Sequence, residues 1–169
     1  MAPTLEHHFT VRAYFDGPNM LNCGTVKGGA QRTVVPLNTG WLKGHGPSAG
    51  ATAELLPGSG DWFLLNPQTN TGHLDVRLSF RTPEGHGIYV HYDGMMQVDE
   101  ACLAAILNKD AKTTQYGDHE LFSTPIMETS DESKKWIESS SWVAEGRWIA
   151  EDGKVAIEYE VYRVRPTKK

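Results

Sequence analysis

The feature that most constrains this chain is a strict two-residue alternation of apolar and polar side chains. From His73 to Arg81, Leu74, Val76, Leu78 and Phe80 fall on one side, and His73, Asp75, Arg77, Ser79 and Arg81 on the other. Successive side chains of a β-strand point to opposite faces, so this run predicts a strand with one apolar face rather than an amphipathic helix. Thr82-Pro83-Glu84-Gly85-His86-Gly87 follows as a turn, and Gly87 to Tyr92 reads as the return strand of a hairpin. The same alternation recurs from Lys154 to Val164. There Val155, Ile157, Tyr159 and Val161 oppose Ala156, Glu158, Glu160 and Tyr162. Glu151-Asp152-Gly153 is the turn before it, and Trp142 to Ala150 its hairpin partner.

Further strands are predicted at Glu6–Phe15, Arg32–Leu37, Gly50–Leu56, Trp62–Asn66 and Phe122–Glu128. Glycine and proline punctuate them, and Gly24 to Gly29 reads as a glycine-containing loop. Only Asp99 to Asn108 looks helical, with acids in its first turn and good helix formers behind them. Many short strands with one short helix predict an all-β, antiparallel barrel or sandwich. The 169 residues suggest one domain spanning 1–169, with no repeat or linker to divide it.

Composition narrows the partners. A net charge of −5 disfavours non-specific nucleic-acid binding, which needs a basic stripe. The basic tail after Tyr162 reads as a solvated end. Cys23 and Cys102 are far apart and in no metal spacing, and two free thiols suggest a reducing compartment. Met1 to Thr10 has no apolar core of a signal peptide, and no stretch approaches about 18 apolar residues. The expectation is a cytoplasmic protein that does not enter the membrane. No HxH or HExxH pattern is present among the seven histidines, so no metal is expected. There is no GxSxG, Walker or dinucleotide motif, so no cofactor is expected.

Several segments together resemble the family known as domain of unknown function 3237. Leu56-Pro57-Gly58-Ser59-Gly60-Asp61-Trp62 is similar to its Leu-Pro-Gly-Gly-x-Asp-Trp signature. Arg32 to Leu37, Leu74-Asp75-Val76-Arg77, Arg81 through Ile88-Tyr89-Val90, Phe122-Ser123-Thr124-Pro125 with Glu128-Thr129, and Tyr159 to Tyr162 continue the resemblance in register. It departs in the loop from Gly40 to Gly50 and at Lys135-Trp136-Ile137-Glu138. The resemblance implies a lipocalin-like β-barrel around a cavity. Some fungal members of that family resemble natural-product enzymes of chalcone-isomerase type, which close a ring without a cofactor.

The candidate chemistry depends on which face of the His73–Arg81 strand lines the barrel. Either Leu74, Val76, Leu78 and Phe80 fill the interior, or Asp75 and Arg77 do; alternation favours the first, the resemblance the second. In the second case Asp75, Arg77 and Tyr89 are the candidate catalytic residues. The carboxylate and guanidinium lie two apart on one strand face, where they could polarise a carbonyl or act as a base. A structural ion pair is the plain alternative. Trp62 and His91 are candidate substrate contacts, and Arg32 and Glu128 join them through the resemblance alone. Asp61 could be a general base, but a turn-capping role is preferred.

Two functions follow. One is a cofactor-free isomerase or cyclase that holds a hydrophobic aromatic or polyketide-type molecule in a reactive conformer. The other is a lipocalin-like carrier with the same cavity and no turnover. The partner expected in either case is a hydrophobic small molecule. A spare apolar outer face would favour a homodimer.

Overall fold

The computed structural model describes residues 2–107 and 109–167. Ten antiparallel strands form one sheet: β1 (Thr4–Phe15), β2 (Leu21–Val26), β3 (Ala30–Gly44), β4 (Thr52–Leu55), β5 (Ser59–Asn66), β6 (Thr71–Arg81), β7 (Gly87–Gln97), β8 (Leu121–Thr129), β9 (Trp142–Glu151) and β10 (Lys154–Arg165). One helix, α1 (Glu100–Ile106), stands among them. The predicted strands are present, and the fold is the expected antiparallel barrel.

Hydrogen bonding runs round a ring. β6 pairs with β7, β7 with β8, β8 with β9 and β9 with β10. β1 pairs with both β10 and β3. β3 returns to β6 through β4 at one end and β5 at the other. The first and last strands therefore form the seam.

The structure refines several expectations. Gly24 to Gly29 is not a free loop: it forms the tip of the β2–β3 hairpin, where Gly24, Lys27 and Gly28 adopt positive φ. β5 begins at Ser59, inside the glycine-rich turn, where Gly60 fits closely because a Cβ there would lie 3.2 Å from the Val35 carbonyl oxygen. The helix ends at Ile106, and Asn108 lies outside the described residues. Asp99 caps it by accepting the Cys102 N–H at 2.8 Å. Glu132–Ile137 forms a 3-10 turn at the departure from the family pattern, capped by Asp131.

Direct register fixes the faces. Leu74, Val76, Leu78 and Phe80 are buried in the core with Val90, Tyr92, Met96 and Met127 of the next two strands. Burying such side chains contributes roughly 1.5–3 kcal/mol each, and no charged pair could offset the loss of four of them. The apolar face of β6 therefore points inward. α1 packs Cys102 and Ala105 into one end of this core, where Trp148 Nε1 donates to Cys102 Sγ at 3.3 Å. Trp136, Trp142 and Phe9 pack together at the other end.

Candidate functional site

The residues singled out from sequence stand on one outer wall. Arg32, Trp62, Asp75, Arg77, Tyr89, His91 and Glu128 occupy neighbouring strands from β3 to β8 on the face opposite the core. The arrangement with Asp75, Arg77 and Tyr89 inside the barrel is not the one adopted, for the burial reason given above.

On that wall Arg77 Nη1 donates to Asp75 Oδ1 at 2.6 Å, and its guanidinium lies 5.2 Å over the Trp62 ring. His91 lies across from Arg77, with Nε2 3.5 Å from Asp75 Oδ1. His91 Nε2 is buried without a hydrogen-bond partner. Arg32 donates to the Trp62 carbonyl. Tyr89 and Glu128 are brought opposite each other but away from this group, since Tyr89 is in register with Ser79. The sequence thus places Asp75, Arg77, His91, Trp62 and Arg32 together, and sets Tyr89 and Glu128 apart. Asp75 and Arg77 are about two-fifths exposed, so the pair is a partly wet one. Asp75, His91 and Asp93 form a triplet of metal-ligating type. Beside it runs an open groove of 790 Å³ lined by His73, Asp93, Met95, Phe122 and Thr124 among others. Met95 and Phe122 are exposed there, and Ile126 is exposed nearby on β8.

A different carboxyl stands on the inner face. Ser59, Asp61, Phe63 and Leu65 share one side of β5, and Asp61 is in register with Val35 and Val76, both core residues. Its side chain therefore points inward. Burial away from water raises the Asp61 carboxyl, and the Asp75 charge adds to it; the Asp75 N–H, donated at 3.1 Å, and the Arg32 charge oppose this only in part. The result is a carboxyl pushed up to about 7. Inner-face residues Thr33, Asp61 and Leu65 are half-buried, whereas Val76, Leu78 and Phe80 are sealed. Along the inner face of β3 and β5 these half-buried residues alternate with the buried Val35, Leu37, Ser59 and Phe63.

Two phenols share this interior. The Tyr92 and Tyr159 rings meet edge to face, with centroids 5.3 Å apart. Burial raises both, and the negative charge of Asp61 adds to it. Both stay protonated donors at neutral pH. Gly146 makes room for Tyr159, because a Cβ there would lie 2.7 Å from its ring. Sequence reasoning treated Asp61 as a turn cap. The signal that finds it is the inward alternation with Phe63 and Leu65, continued back through the glycines.

No helix among the described residues is long and apolar enough to cross a membrane. No curated protein matches the chain. Solved structures share the fold at low identity. A conserved protein of unknown function from Rhodopseudomonas palustris is 19% identical, with a TM-score of 0.80 over 97% of this chain and 99% of that one. A β-barrel-like protein from Acinetobacter baumannii is 19% identical, with a TM-score of 0.71 over 98% of each chain. More distantly, an enzyme from Penicillium herquei is 12% identical, with a TM-score of 0.59 over 98% of this chain and 96% of that one. Residues 3–164 match the model of the family described as protein of unknown function (DUF3237), and the chain belongs to that family.

Proposed function

We propose that the protein is a cofactor-free isomerase or cyclase of a hydrophobic, aromatic or polyketide-type small molecule, with Asp61 as its proton-transfer group. The observation that carries this reading is an inward, half-buried carboxyl that burial pushes up to about 7, close enough to Tyr92 and Tyr159 to act on both. A general acid–base works best when its pKa lies near the working pH. Perturbed carboxyls of this kind cluster at functional sites. The likeness to a fungal enzyme supports an enzyme reading without giving the reaction.

In the proposed step Asp61, as carboxylate, takes the proton of a substrate phenol or hydroxyl. Its oxygen adds to the β-carbon of an enone within the same molecule, and the Asp61 carboxylic acid returns the proton to the α-carbon. One O–H bond and the π bond of the enone C=C break, one C–O and one C–H bond form, and no co-reactant is consumed. Tyr92 and Tyr159 donate hydrogen bonds to the enone carbonyl as charge develops on it.

The experiment is a panel of phenolic enones, followed by chromatography on a chiral phase for wild type, Asp61→Asn and Asp75→Asn. The expected result is ring closure by wild type, an apparent pKa near 7 in the rate, and a loss of roughly 10²–10⁴-fold in Asp61→Asn. A second reading rests on the Asp75–Arg77 pair stacked on Trp62 and places the ligand on the outer wall, with Asp75, Arg77 and Tyr89 catalytic and Arg32, Trp62, His91 and Glu128 in contact. In that case Asp75→Asn, not Asp61→Asn, abolishes turnover. Saturable binding with no turnover in either variant or wild type identifies a carrier and rejects the enzyme reading. Light scattering on the same samples tests a homodimer through the Met95–Phe122 wall.

A further inference from the structure

Three ligand-bearing side chains, remote in sequence, meet on the outer face of the β1–β10 seam. His7 is on β1, Glu160 on β10, and His45 precedes the 3-10 turn Gly46–Ser48. All three are half-buried, and their ligand atoms lie within 4.8 Å of one another. The two imidazoles stack with centroids 4.6 Å apart and planes 19° from parallel. His7 Nε2 abuts Glu160 Oε2. Both atoms are buried and face each other, so the imidazole and the carboxylate are set to share one cation, a proton or a divalent ion, between them.

The surroundings hold these groups in place. The His45 N–H donates to the His8 carbonyl at 2.7 Å, and the Ser48 N–H returns to the His45 carbonyl at 2.8 Å. The loop is thereby pinned to β1. The Thr10 hydroxyl lies 2.7 Å from His45 Nε2 and donates to Glu160 Oε1 at 3.0 Å. Hydrogen bonds of this kind orient metal ligands and fix the imidazole tautomer.

Two imidazoles and one carboxylate suit a borderline divalent ion such as Zn²⁺, with water in the remaining position; Ca²⁺ and Mg²⁺ prefer oxygen throughout. The two other triplets of ligating residues are poorer candidates. In Asp99–Cys102–His119 the thiol is fully buried, and burial raises it away from the thiolate a metal needs. Asp75–His91–Asp93 offers one imidazole only.

We infer that His7, His45 and Glu160 form a binding site for a Zn²⁺-class divalent ion, with Thr10 as a positioning residue. The ion clasps the first and last strands of the barrel to the β3–β4 connection. The site is independent of the chemistry proposed for Asp61.

The test uses the tag-free full chain, stripped with chelator and titrated near neutral pH with Zn²⁺ by calorimetry and with Co²⁺ by visible absorption. One equivalent should bind, and the melting temperature should rise with Zn²⁺ and fall back with EDTA. His45→Ala and Glu160→Gln should each lower affinity at least 10-fold, and Thr10→Val less. Circular dichroism checks that the variants fold. If Glu160→Gln does not fold, His45→Ala decides alone, because its side chain leaves from a surface turn. Absence of binding in wild type overturns the inference. So does binding that survives both ligand substitutions, or binding lost instead in Asp99→Asn or Asp75→Asn.

Discussion

Glu158 and Asp61 are both carboxyls withdrawn from water, one on the outer face of β10 and one on the inner face of β5. Glu158 is 3% exposed and lies between two guanidiniums. Arg147 donates to it at 2.9 and 2.7 Å, Arg12 at 2.6 Å, and the Tyr116 hydroxyl at 3.1 Å. Burial pushes the Glu158 carboxyl up, but Arg147 and Arg12 outweigh it and hold the group below the usual range. Asp61 has one backbone N–H and a remote guanidinium, and burial wins. The deeper group, Glu158, is thus held charged as a brace, while the half-buried Asp61 can exchange protons near neutrality. What separates them is the supply of donors.

Breaking the braced carboxyl should have the largest effect. Glu158→Ala leaves Arg147 without a carboxylate partner and Arg12 with the exposed Glu151 alone, with an expected cost of about 3–5 kcal/mol. Denaturant unfolding at pH 7 reads it, and a loss below about 1 kcal/mol would mean that water already screens the cluster.

Removing the poorly served carboxyl should act in the opposite direction. Burial pushes the folded Asp61 carboxyl up to about 7 from an ordinary aspartate value of 3.8, so folding favours its protonated form. The associated stability is complete below pH 4, is lost as pH rises from about 4 to 7, and stays lost above. Asp61→Asn should therefore be more stable than wild type at pH 8, by of order 2–4 kcal/mol, and nearly equal to it at pH 4. Parallel urea curves at the two pH values check this; an equal gap at both would remove ionisation as its cause. Glu158 has the reverse sign: its contribution is present above the ordinary carboxylate range and disappears as pH falls through its lowered pKa.

Gly146→Ala presses a Cβ against Tyr159 and Leu121, each 2.7 Å away. A cost of about 1–3 kcal/mol is expected, together with a changed near-ultraviolet signal from the tyrosine pair. The smallest effect should come from Asp75→Asn. Its partner Arg77 is 43% exposed, and such pairs contribute at most about 1 kcal/mol. A larger loss would place Asp75 with Glu158 as a structural brace.

These comparisons also show what the amino-acid order conveyed. Strand positions were legible wherever apolar residues alternated, as in β6 and β10, because one face of each had to be buried. Whether Asp75 or Leu74 faced inward followed from the same apolar count once the ring was seen to close. Asp61 was obscured because Gly58, Ser59 and Gly60 gave no apolar marks with which to phase the start of β5. Tyr159 was phased correctly with Val155, Ile157 and Val161, but its neighbour Tyr92 could be placed against it only through the closed sheet. The His7–His45–Glu160 cluster has no local spacing to read, since it arises from strand pairing and a loop pinned by backbone bonds.

The seam between β1 and β10 has a consequence for synthesis on the ribosome. β1 emerges early and can pair with β3, but its other edge has no partner until Lys154–Arg165 is made. Until then β1 and β9 both present open backbone donors and acceptors, the kind of edge that recruits strands from other chains. Closure joins Thr4–Tyr14 to Ala156–Arg165, a slow search because so much chain must be looped at once. The vulnerable interval for this protein is thus the one between synthesis of β9 and synthesis of β10, when a nearly complete sheet waits for its closing strand.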